Sequence, residues 1–184
     1  MSVINSISML AGASVPTETV VIPGASDWTA VGSGLTFGTG TFDATAEACA
    51  RTVAEFDGDF TLTATINSET NWNFGCFAAS EYTSFNSATG NGIRGMSVSY
   101  SYNGGDDSLF YGNARQGADG AGGGWSSGDV VTIKRIGTTV TFMKKPSGGS
   151  NANLLEFSQP ASVALMIMFG AGGTTDINDI QWVV

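Results

Sequence analysis

The chain has 184 residues, seven basic against sixteen acidic for a net charge of −9, with 12% charged residues, 42% apolar residues and no histidine. A partner read through its phosphates and an anionic membrane surface are both disfavoured, because each needs clustered Lys and Arg, and the lack of histidine removes the commonest general base, metal ligand and pH switch. A chain of this length buries roughly 70% of its unfolded surface and so needs neither disulfide nor metal to fold.

Residues 1–23 form an N-terminal arm or first strand, a candidate docking segment, with one convincing strand at Thr19–Ile22. Met1–Leu10 lacks a basic n-region, and no apolar run approaches the ~18 residues of a membrane span. The chain is therefore expected to be soluble and without an export signal. Residues 24–184 read as one domain of short strands cut by glycine-rich turns. Leu35–Phe37 and Thr41–Phe42 bracket Gly38 and Gly40. Ala44–Phe56 has helix-favouring content but a thin apolar face, so strand or irregular structure fits it equally well. Phe60–Ile66 (FTLTATI) alternates strictly, as a strand with one face inward. Trp72, Phe74, Cys76 and Ala78 share a face, which predicts a second strand antiparallel to the first.

Further on, Gly92–Tyr102 alternates Met96, Val98, Tyr100 and Tyr102 with serines. Asn103–Asp107 has turn chemistry, and Leu109–Tyr111 pairs back. Gly112–Ser127, with six glycines and Trp125 as its one large residue, reads as a long loop. Asp129–Ile136 and Thr138–Met143 flank Gly137, and that is a β-hairpin. Pro146–Asn153 is a loop, Leu154–Phe157 a strand, and Ile180–Val184 the closing strand. Val163–Phe169 is apolar on both faces, so it is central in a sandwich or covered by another subunit. Val163, Leu165, Met166, Ile167 and Met168 are accordingly candidate interface residues.

Ten or more short strands with no clear helix predict an all-β fold, an antiparallel β-sandwich of the jelly-roll kind. Gly58–Ala64 (GDFTLTA) followed by the Trp72–Ala78 strand resembles the concanavalin A-like lectin and glucanase jelly rolls, laminin-G-like modules included. Gly128–Gly137 (GDVVTIKRIG) and Asp176–Trp182 (DINDIQW) are similar to the same group. The resemblance covers residues 28–184 and implies the fold while saying almost nothing about activity.

Glycosidases of that fold carry Glu-x-Asp-x-x-Glu on one strand. Here Glu55 and Asp57 are followed by Phe60 where the second glutamate should stand, so the acid and nucleophile pair is incomplete. Calcium, common in the fold, would need Asp106, Asp107, Asp119, Asp176, Asn178 and Asp179, which lack calcium-loop spacing. No cofactor is expected. Gly120–Gly124 lacks the Lys-Ser/Thr that a phosphate loop requires. Two cysteines, Cys49 and Cys76, are too few for a disulfide framework, and Cys76 reads as a buried thiol.

Aromatics in polar loops remain. Tyr82, Phe85 and Trp125, with Asn86, form a candidate ligand-binding set, since a sugar stacks its apolar face on an aromatic plane while amides and hydroxyls bond its rim. The alternative role for Trp125 is to cap an open sheet end. The lack of a visible secretion signal, with an extracellular-style Ser/Thr/Gly-rich β architecture, resembles virion proteins of tailed bacteriophages. The first expectation is a non-enzymatic virion surface protein of capsid or tail, made in the host cytoplasm, which contacts other virion proteins or forms homo-oligomers. The alternative is a carbohydrate-binding adhesin that holds a host-surface glycan. A glycan-cleaving enzyme is a weaker third.

Overall fold

In the computed structural model the alternation of large apolar and small polar residues is realised as strands. The structure describes residues 18–32, 34–45, 47–67, 72–78, 98–103, 106–111, 114–116, 126–158, 165–172 and 175–184. In chain order the strands there are β1 (Val20–Val21), β2 (Trp28–Gly32), β3 (Leu35–Gly38), β4 (Thr41–Ala44), β5 (Glu47–Thr52), β6 (Phe60–Ile66), β7 (Trp72–Ala78) and β8 (Val98–Asn103). They continue as β9 (Asp106–Tyr111), β10 (Ala114–Gln116), β11 (Asp129–Ile136), β12 (Thr139–Lys145), β13 (Ala152–Ser158), β14 (Leu165–Gly172) and β15 (Thr175–Val183). A single 3₁₀ turn at Ala25–Asp27 is the one helical element among the described residues.

One sheet has the order β13-β12-β11-β6-β15-β4-β3, with β1 also beside β15; the other runs β10-β9-β8-β7-β14-β5-β2. Neighbouring strands in both are antiparallel. The fold is an all-β antiparallel sandwich of the concanavalin A-like jelly-roll class, as the sequence predicts. We call the sheets A and B.

The core lies between the sheets. From sheet A it receives Phe42, Phe60, Leu62, Ile66, Ile133, Phe142, Ile177 and Trp182, and from sheet B Ala50, Cys76 and Leu165. Phe60, Leu62, Ala64 and Ile66 are buried while the intervening threonines are half-exposed, so the period of two in the sequence becomes an inner and an outer face. Trp182 meets Phe56 and Trp28 edge-on, at centroid distances of 5.6 and 6.3 Å, and closes the core between the sheets.

Three expectations are corrected. Residues 112–127, read as a long loop, include the strand β10, which pairs with β9. β6 and β7 are not paired: β6 lies between β11 and β15 in sheet A, while β7 lies between β14 and β8 in sheet B. The chain therefore passes from sheet A to sheet B between Ile66 and Trp72. An alternating strand has one apolar face in either sheet, so its period cannot say which sheet it joins. The third correction is local. The β11–β12 turn uses two residues, Gly137 and Thr138, so β12 starts at Thr139. Gly137 has φ +56°, and two-residue loops suit the twist of a hairpin. The segment left open between helix and strand is a strand, β5, held on both sides by β14 and β2.

β14 holds Leu165–Phe169 of the doubly apolar run. It is a central strand, flanked by β7 and β5, and Leu165 is fully buried in this chain's own core. Met166, Ile167 and Met168 pair through their backbones with Phe77, Cys76 and Gly75. Val163 lies outside the described residues.

Candidate functional site

The sandwich has two ends, marked by the first and last inward-facing residues of β11. Asp129 and Arg135 are both charged and both buried, at 3% and 1% exposure. At the Asp129 end the carboxylate accepts from the backbone N–H of Ser126 at 3.0 Å and of Ser147 at 2.9 Å. Lys144 Nζ lies 3.2 Å from its Oδ2. Burial alone would raise this carboxyl, but the Ser126 and Ser147 donors and the Lys144 ammonium outweigh burial and hold it below the usual carboxylate range. The node ties the entry into β11 to the Pro146–Gly149 turn after β12. At the other end, Arg135 Nη1 donates to the Phe56 carbonyl at 3.3 Å and its Nε to the Gly137 carbonyl at 3.2 Å. These bonds hold the irregular stretch before β6.

The expected binding residues Tyr82, Phe85, Asn86 and Trp125 lie outside the described residues. Glu55 and Asp57 are both exposed and flank Phe56, which is buried and bridged to Leu165. They lie outside the named strands, and the buried Phe60 stands where a second glutamate would be needed.

The outer face of sheet A carries a row of polar side chains. Thr61, Thr63 and Thr65 of β6 point outward; Thr132 of β11 lies opposite Thr63, and Val130 opposite Thr65. On the other side of β6, Gln181 of β15 pairs with Thr63 and Asn178 with Thr65. Between Asn178 and Gln181 the register shifts: three steps along β15 match two along β6, which is a β-bulge of one extra residue. Asp179 sits in the bulge with φ +50°, the one positive φ outside glycine among the described residues. Its Oδ2 accepts from Thr65 Oγ1 at 3.1 Å. The next residue, Ile180, returns to the core and donates its N–H to the Gly40 carbonyl at 2.9 Å.

These residues border an open groove of about 320 Å³, whose far wall is formed by Lys145 and Asn151. Sequence reasoning missed the groove. The signal was present, because Ile177 and Ile180 are both core-like yet three apart, which a regular strand cannot accommodate on one face. A second groove of about 330 Å³ lies at the Arg135 end between Glu18, Asp59, Lys134 and Val184.

Of the residues weighed for calcium, Asp176 faces Asp43 directly across β15 and β4. Burial, then the charge and hydrogen bond of Asp43, push the Asp176 carboxyl up, and Asn178 opposes them. Among the described residues no group of three or more acidic or cysteine side chains is placed to hold a metal. Asp119 lies outside the described residues, and Asp106 and Asp107 belong to β9. Cys49 and Cys76 stand on opposite sides of β14, opposite Gly170 and Ile167. Two strand spacings across and three residues along β14 separate them by roughly 14 Å, beyond disulfide reach. Cys76 is free, and burial pushes its thiol well above its ordinary value, with Arg135 opposing.

Over most of its length this chain shares its fold with lectins and SPRY domains. The lumenal domain of VIP36 in its Ca2+/Man3GlcNAc-bound form superposes with a TM-score of 0.59 at 8% identity, covering 89% of this chain and 86% of that one. The lectin from Bauhinia forficata in complex with GalNAc gives 0.56 at 12% identity, covering 91% and 97%. The SPRY domain of human HERC1 gives 0.55 at 13% identity, covering 84% and 94%. No family model matches the sequence, and comparison with curated proteins finds no match. At these identities the likeness establishes the concanavalin A-like fold.

Proposed function

We propose that this chain is a non-enzymatic carbohydrate-binding module. The observation that carries the reading is the superposition of nearly the whole sandwich on lectins solved with sugar bound, in the VIP36 and Bauhinia forficata structures. Three features of the chain support it. The outer face of sheet A carries hydroxyls and amides in place of dense charge. Its acidic balance, −9, disfavours polyanionic ligands and leaves neutral glycans as the better match. After Glu55 and Asp57 the buried Phe60 stands in place of the second glutamate, so the acid and nucleophile pair that glycoside cleavage needs is incomplete. The lectin likenesses favour this alternative over a virion-surface role, on which no structural feature bears.

The test is a glycan array followed by calorimetric titration of the strongest neutral hits, with and without EDTA. Saturable binding without release of reducing sugar supports the module. A clean array at ~1 mM glycan, the weak end of useful recognition, rejects it, and product release would reassign it as an enzyme.

A further inference from the structure

We propose that the groove beside the β15 bulge, on the outer face of sheet A, is a binding site for a small neutral saccharide. The proposal rests on the carbohydrate-binding reading and gives it a location that neither the loops nor the fold likeness supplies.

The bulge is the starting point. One extra residue in β15 shifts the register against β6 and lets both Ile177 and Ile180 reach the core. That much is structural, and so is the Ile180 N–H bond to Gly40. The residue at the turning point is a different matter. A positive φ of +50° is adopted at least cost by glycine, yet the position holds Asp179. What the aspartate adds is a carboxylate turned back over the sheet, where Thr65 Oγ1 donates to Oδ2 at 3.1 Å. Aspartate tolerates this region better than most residues, and the position places its carboxylate at the rim of the groove. Bulges and strained residues recur where a side chain must be aimed at a ligand.

The surroundings fit one ligand chemistry. Asp179 is an acceptor only; Gln181 and Asn151 each offer a donor and an acceptor; Thr63 and Thr132 each offer a hydroxyl that does both, and Thr65, whose proton goes to Asp179, an acceptor. Saccharide hydroxyls, which both donate and accept, can satisfy such a set, and a carboxylate taking hydroxyl donors makes the stronger, charge-assisted bond. Val130 adds an apolar side chain to the lining, for the C–H face of a ring. The groove, about 320 Å³, is at the lower end of the range for small-molecule sites. It runs from Asp179 across β6 and β11 to Lys145 on β12, three strand spacings or roughly 14 Å. That length suits a disaccharide. An anion would meet Asp179 and the net negative charge. A metal would find only one carboxylate and an ammonium.

The experiment is a ¹H–¹⁵N titration of the full chain with lactose, cellobiose and mannobiose. At least one should bind and shift the amides of Thr63, Thr65, Thr132 and Gln181. Asp179→Gly relaxes the backbone while deleting the carboxylate, so it should fold with an unchanged or higher melting temperature and bind at least ~10-fold more weakly. Thr132→Val, isosteric and on another strand, should weaken binding several-fold without touching the bulge. If a disaccharide binds but shifts only amides elsewhere, or if both variants keep wild-type affinity while Trp125→Ala loses it, the groove is not the site and the carbohydrate-binding reading survives. If none of the three binds and the array is also clean, both fall.

Discussion

Replacing Asp129 by asparagine keeps the side chain's shape and removes its charge, which makes it a direct probe of the node that joins the entry of β11 to the turn after β12. The carboxylate is 3% exposed as a residue, accepts two backbone N–H groups at 3.0 and 2.9 Å, and lies 3.2 Å from Lys144 Nζ. Removing one partner of a buried ion pair costs about 3–5 kcal/mol. Here the cost sits at or below the lower bound, because asparagine keeps one acceptor and the Lys144 stem can carry its head toward water. We expect about 2–3 kcal/mol, a fall in melting temperature of roughly 5–10 °C for a domain of this size. The pH dependence follows from the depressed carboxyl. Asp129 contributes its stability above the unfolded carboxylate value and loses it as pH falls through the lower folded value. The gap between wild type and Asp129→Asn, measured by circular dichroism melts, should therefore be full at neutral pH and close below the ordinary carboxylate range. A drop of less than ~2 °C, or a gap that is constant from neutral pH to the acid limit of folding, would refute the reasoning.

Three further outcomes are expected. Asp176→Asn should stabilise the fold at neutral pH by up to about 1 kcal/mol, since it removes a like-charged neighbour directly across the ladder; because the Asp176 carboxyl is raised, the gain should shrink as acid protonates the wild-type pair, and chemical denaturation at neutral and acid pH checks the sign. Cys76 should resist a thiol reagent in the native protein and react at once in denaturant, because burial disfavours its thiolate; Ellman titration of a Cys49→Ser background isolates it. Gly137→Ala meets no atom within 4 Å of the new Cβ, so its only cost is the φ of +56°, about 1 kcal/mol and ~2–4 °C in a thermal melt.

What the sequence determined by itself is local. The alternation in FTLTATI, the β-branched runs on either side of Gly137 and the unbroken apolar run ahead of Phe169 each specified a strand, and the structure has β6, β11, β12 and β14 there. Strand character depends on side chains two apart on one chain, so it can be read from one segment at a time. Three things depended on distant segments. Which sheet a strand joins was one: β6 and β7, adjacent in sequence and alike in pattern, went to opposite sheets because β11 and β15 took both edges of β6. Another was the fate of the inward charges, since nothing near Asp129 in the chain names Lys144 or Ser147 as its partners. The groove was the last. Thr65 and Asp179 are 114 residues apart, and a shift of one residue in β15 brings them together. Register against a distant strand is settled by how two sheets close on one core, and only the folded chain contains that information.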